Sequence, residues 1–145
     1  MKDKPFVGVW LTHREALLFW ADEKANVEIQ RLESEYPEEK GEVFLKPARM
    51  AGAYGAAVTN GSLERHRHEH LRHYYKKLDD ILRPARQIFL FGPGQAKREL
   101  ANVLDGDKNF RARIRGIENA DKKMTEAQMA ALVKDFFKLP HSPLT

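Results

Sequence analysis

The sequence predicts an α/β fold, a mixed five-stranded sheet flanked by helices in the order β-β-β-α-β-α-β-α. Three observations lead there. The opening part of the chain alternates short apolar runs with polar turns and shows no helical period. The later part interleaves helical apolar spacing with two further strand-like runs. One of those, Ile88 to Phe91, is continuously apolar, the mark of a strand buried on both faces. Three antiparallel strands followed by helix-linked ones give a mixed sheet.

Phe6 to Leu11 is rich in strand formers, Thr12-His13-Arg14-Glu15 is polar, and Ala16 to Ala21 is a second strand, so the two read as a hairpin. After Asp22 to Asn26, Val27, Ile29 and Leu32 indicate a third strand with one wet face. Residues 35–62 show no sustained period and are expected to form a long flexible loop, acidic at first and rich in glycine and alanine from Met50. Ser62 is expected to cap a helix from Leu63 to Leu82, whose apolar stripe is Leu71, Tyr74, Tyr75, Leu78, Ile81 and Leu82 and which Pro84 stops.

The buried run Ile88 to Phe91 ends in Gly92-Pro93-Gly94, and from Ala96 the apolar residues return to helical spacing as far as Leu104. This strand, turn and helix is the centre of the chain. Amides opening a helix lack internal partners, and Lys97 and Arg98 stand in the first turn, so Gly92, Gly94, Lys97 and Arg98 are candidate anion contacts. The stretch is neither a Walker loop nor a dinucleotide fingerprint, and its glycines also suit a plain tight turn. Asn109 to Ile117 alternates strictly and is expected to be a half-buried strand with Arg111, Arg113 and Arg115 on its outer face. Thr125 and Gln128 form a capping box for a last helix with Met129, Leu132, Val133, Phe136 and Phe137 inside; Leu139-Pro140 ends it, and 140–145 is a loose tail.

With 145 residues, 42% hydrophobic and 32% charged, the chain is expected to be a single domain with a real core. It has no cysteine, which excludes disulfides and thiolate chemistry and suits a cytoplasmic setting. No apolar run reaches membrane-spanning length, so no membrane partner is expected. The net charge of +4 favours a polyanion. Acidic residues gather early, whereas Arg65, Arg67, Arg72, Lys76, Lys77 and the later arginines load the later part. His66, His70 and His73 fall on one helix stripe; they are weak zinc candidates and fit better as a polar face joining the nearby cations.

The segments Trp10-Leu11-Thr12-His13-Arg14-Glu15-Ala16, Gly92-Pro93-Gly94-Gln95-Ala96-Lys97 and Gly116-Ile117-Glu118-Asn119-Ala120-Asp121, with the order of elements, resemble the middle domain of the Pelota and eukaryotic-type class-one release factors. More closely, the chain resembles the small stand-alone bacterial and archaeal relatives of that domain, the translational machinery proteins. The resemblance implies a ribonuclease H-like sheet and a place on the ribosome or its RNA. In release factors a Gly-Gly-Gln tip precedes the basic helix and serves peptidyl-tRNA hydrolysis. The corresponding segment here, Ala48 to Ser62, contains neither Gly-Gly nor glutamine, which argues against peptide release. The small relatives often carry an aspartate where Thr12 stands, so an acid role there is not implied for this chain.

Two functions follow as expectations. The first is an RNA- or ribosome-binding module without covalent chemistry, cofactor or DNA specificity, in which the Met50 to Gly61 segment orders on contact. The second is a metal-dependent phosphodiester or nucleotide hydrolase at the strand ends. There His13, Glu118 and Asp121 would converge if the Ile88 strand lies parallel to the first. The sequence leaves the oligomeric state and the partner open.

Overall fold

The computed structural model describes residues 4–34 and 53–140, with only the helical backbone given for 53–64, 66 and 67. Five strands, β1 (Phe6–Leu11), β2 (Glu15–Ala21), β3 (Val27–Glu33), β4 (Gln87–Gly92) and β5 (Ile114–Asn119), form one open mixed sheet ordered β3-β2-β1-β4-β5. The first three are an antiparallel meander, and β4 lies parallel to both β1 and β5. The α/β fold read from the sequence is therefore the one observed. Among the described residues there are four helices, α1 (Ala53–Leu82), α2 (Ala96–Leu104), α3 (Lys108–Arg111) and α4 (Glu126–Phe137).

Successive strand side chains point to opposite faces, so the sheet has two cores. On one, Val7, Val9, Leu11, Leu18, Trp20, Ile88 and Leu90 pack with Tyr74, Leu78 and Leu82 of α1 and Leu100 and Leu104 of α2. On the other, Trp10, Leu17, Phe19, Phe89 and Phe91 meet Met129 and Val133 of α4. Phe89 stacks on Phe91 at 4.8 Å and on Phe136 at 4.0 Å between ring centroids. Close approach of α4 depends on two glycines. A Cβ on Gly8 would lie 2.2 Å from Val133 Cγ2, and one on Gly116 would lie 2.6 Å from the Phe136 ring. The α4 capping box forms as read: Thr125 Oγ1 accepts from Gln128 N at 3.1 Å, and Gln128 Oε1 accepts from Thr125 N at 2.9 Å.

Two expectations are corrected. Helix α1 begins at Ala53, so Ser62 is interior and residues 53–62 are helix rather than loop; 35–52 and 141–145 lie outside the described residues. Once residues 71–82 are fixed on the sheet, extending the helix toward its N-terminus adds a hydrogen bond per residue without a new nucleation cost, and Ala53, Ala56 and Ala57 favour it. The second correction concerns Asn109 to Ile117. Asp107 Oδ1 accepts from Phe110 N at 3.2 Å and caps the short helix α3, so the strand starts only at Ile114. Phe110 on α3 and Ile114 at the start of β5 both enter the core while Ala112 between them is exposed, so the apparent strand alternation runs across a helix and a strand. The Phe110 N–H, and then the Arg83 guanidinium at 3.1 Å, hold the Asp107 carboxyl below its ordinary range.

Candidate site at the carboxyl ends of the parallel strands

The parallel register, with Trp10 beside Phe91 and Gly92 beside Asn119, brings the ends of β1, β4 and β5 to one edge. Gly92 has φ +140°, and a Cβ there would stand 2.6 Å from the Leu11 carbonyl oxygen, so only glycine lets β4 leave the sheet so close to β1. Ala120 N donates to Gly92 O at 3.2 Å, and Trp10 Nε1 donates to Asp121 O at 3.4 Å, fixing the segment after β5 against the other two strand ends.

Above this edge the first turn of α2 meets α1. His13 Nε2 lies 3.0 Å from Glu99 Oε1, and the same oxygen accepts from Tyr75 OH at 2.6 Å. Beside them Tyr74 OH donates to Thr12 O at 2.9 Å. Burial, with a smaller contribution from the Glu15 charge, pushes the Tyr74 phenol well above its ordinary value, so it remains a donor. Glu99 and Tyr75 did not stand out as site residues in the sequence: Tyr75 read as core, and Glu99 carried no reading of its own. A carboxylate in the first turn of the helix that follows the buried strand was the available signal.

Lys97 is fully buried. Its Nζ folds back to donate to Gly94 O, and no carboxylate faces it among the described residues. Loss of hydration, then the neighbouring Arg98 charge, pushes its ammonium below the usual lysine value. The positive charge expected to be displayed at this turn is therefore turned inward at Lys97, and Arg98 is the exposed cation there.

The remaining candidates fall on several surfaces. Arg65, Arg72, Lys76 and Lys77 are exposed on α1, and Lys76 is 3.5 Å from Asp80. The side chains of Arg67 and His66 lie outside the described residues; His70 is half-buried and His73 exposed. Arg111, Arg113 and Arg115 do not share a strand face. Arg111 is 4.0 Å from Asp105, Arg113 donates to the carbonyls of Arg83 and Ala85 against the Phe110 ring, and Arg115 alone is on β5, exposed. Glu118 is exposed at the end of β5, and Asp121 Oδ1 accepts from Lys123 N at 3.0 Å. Among the described residues no three of His, Cys, Asp or Glu are grouped to hold a metal, so His13, Glu118 and Asp121 do not make the metal centre that a hydrolase would need.

No family model matches the chain, and no curated protein matches it by sequence. Among solved structures, the archaeal translation termination factor aRF1 is similar over 92% of this chain and 39% of its own, with a TM-score of 0.50 and 14% identity. The chain thus spans well under half of that factor, and the likeness is one of fold. The PilM-PilN type IV pilus biogenesis complex (TM-score 0.44, 14% identity, 93% of this chain and 44% of that one) and an archaeal protein (TM-score 0.39, 15% identity, 92% and 37%) are more distant in shape. No helix among the described residues is long and apolar enough to cross a membrane.

Proposed function

We propose that this domain is an RNA-contacting module of the translation apparatus, a counterpart of the Pelota and release-factor middle domain that acts by binding. The observation that carries the reading is a set of exposed cations without carboxylate partners among the described residues, Arg65, Arg72 and Lys77, on the long helix of a fold shared with aRF1. That helix is about 45 Å long, and its core contacts come from residues 71–82, so much of its length carries none of the described apolar stripe. Cations spaced along such a rod suit the phosphates of a backbone, which give affinity without sequence preference. The sequence holds no Gly-Gly-Gln, which supports a role other than peptide release.

The test is RNA affinity as a function of salt, together with sedimentation of the tagged protein with ribosomal subunits. Three phosphate contacts on single-stranded RNA give a log–log slope of about −2. The triple change Arg65→Ala, Arg72→Ala and Lys77→Ala flattens that slope while leaving the fold intact. A flat response in the unaltered protein, or no binding at low salt, overturns the reading.

A further inference from the structure

Strand β3 is the last strand on its side of the sheet, and its outer edge pairs with no strand among the described residues. Asp22 N donates to Asn26 O at 3.2 Å and Ser34 N donates to Arg14 O at 2.8 Å, one bond at each end of the β2 and β3 ladder, and the register between them runs without a shift. Peptide groups along an antiparallel strand turn alternately to its two sides. Glu28, Gln30 and Leu32 therefore bond to β2, while the N–H and C=O groups of Val27, Ile29, Arg31 and Glu33 point away from the sheet.

An edge of this kind is ordinarily blunted by proline, lysine, a bulge or an uncompensated charge. Strand β3 has seven residues, without proline, lysine or register shift. The charges near its middle are satisfied within the chain: Arg31 bonds to Glu15 at 2.8 Å and to Glu126 at 3.1 Å, and Lys4 lies 3.3 Å from Glu28. At its centre stands Ile29, 48% exposed, the most exposed large apolar side chain among the described residues. The opposite edge, β5, does carry a register shift against β4 and an exposed arginine, Arg115.

We propose that β3 pairs antiparallel with β3 of a second copy about a two-fold axis at Ile29, joining two five-stranded sheets into one. The residues of the strand select that register. Centred on Ile29, the two isoleucines face each other, Arg31 faces Val27 of the second copy and Glu28 faces Gln30, so apolar area is buried and no like charges are opposed. Centring on Glu28 or on Arg31 sets two like charges opposite each other, and centring on Gln30 sets Ile29 against Arg31. The outward peptide groups of Val27, Ile29 and Arg31 complete their hydrogen bonds in both copies. The proposal rests on β3 alone and is independent of the cations on α1, so it stands or falls separately from the RNA reading.

The chain has no cysteine, so a single introduced thiol reports the register. In a hydrogen-bonded antiparallel pair the facing Cα atoms stand about 5.5 Å apart, within reach of a disulfide. Under mild oxidation Ile29→Cys is expected to form an interchain disulfide ahead of both Gln30→Cys, which reports the neighbouring register, and Val103→Cys, an exposed apolar position on α2. Sedimentation equilibrium of the unaltered full chain is expected to show a monomer in equilibrium with a dimer. Ile29→Lys, which removes the apolar contact and places a lysine on the edge, weakens the association by about tenfold or more with the thermal melt of the monomer unchanged. A monomer at every concentration in the unaltered chain, as a different occupant of this edge would give, overturns the proposal without recourse to any variant. Cross-linking at Gln30→Cys or Val103→Cys as fast as at Ile29→Cys overturns it as well, as does undiminished association of folded Ile29→Lys.

Discussion

His13 and Glu99 are 86 positions apart in the chain, yet His13 Nε2 and Glu99 Oε1 are 3.0 Å apart. Because the same oxygen accepts from Tyr75, one carboxylate ties the end of β1 and the helices α1 and α2 at a single point. The exposure of the pair, 31% for the His13 side chain and 42% for Glu99, keeps the ion-pair contribution small. The shared acceptor makes the three side chains interdependent rather than additive.

Removing Tyr75 OH and the Glu99 charge should therefore cost less together than apart. Urea denaturation of Tyr75→Phe, Glu99→Gln and the double variant is expected to show a coupling of roughly 0.5–3 kcal/mol. Strict additivity would mean that the 2.6 Å contact contributes nothing to stability.

Lys97→Met is expected to be as stable as the unaltered chain or more so at neutral pH, since it removes a buried charge without a counter-ion. Because the native ammonium titrates below its ordinary 10.5, the unfolded chain holds more protons between those two values. Stability of the unaltered protein therefore gains from Lys97 as pH rises through that window, and the advantage of the variant shrinks. Thermal melts from neutral to alkaline pH check the sign; a gap that widens with pH contradicts it.

Gly92→Ala should be the more damaging of two glycine substitutions. At Gly92 the added carbon meets the Leu11 backbone at φ +140°, where neither partner can yield, so a loss of roughly 3 kcal/mol or more is expected. At Gly8 the clash is with the Val133 side chain, and the paired change Gly8→Ala with Val133→Ala should recover most of the loss. Chemical denaturation of the three variants decides the order.

Thr125→Ala should cost about 1 kcal/mol and Thr125→Ser much less, because the serine hydroxyl still accepts from Gln128 N. Equal losses in the two variants would place the effect in packing of the threonine methyl instead of in the cap.

The sheet was legible because its signals are local and physical. Ile88 to Phe91 had to be buried on both faces, Thr125 with Gln128 marked a helix start, and Gly92-Pro93-Gly94 had to break the strand. The failures share a cause: a short window does not show where one element ends or what packs against it. Phe110, Ala112 and Ile114 satisfy the strand period, yet Phe110 belongs to a short helix capped by Asp107 and only Ile114 to the strand. The glycines near Ser62 argued for a loop, whereas helix growth from the segment packed on the core overrode local preference. Lys97 was legible as a cation near a helix start but not as an inward one, because which side of α2 faces the sheet follows from the tertiary packing of Leu100 and Leu104. The link between His13 and Glu99 is set by the crossover between β1 and β4 and has no signature in neighbouring residues.

The central place of β1 also shapes how the molecule is made. Its antiparallel partner arrives after one short turn, but its parallel partner, with Phe6 against Gln87, arrives only after the whole of α1. Until then Val7, Val9 and Leu11 lie on a strand with one open edge, and closing the intervening chain must precede any gain from the contact. Pairing of β4 with β1 is therefore the long-range closure of the sheet, and it is expected to form later in refolding than the hairpin of β1 and β2.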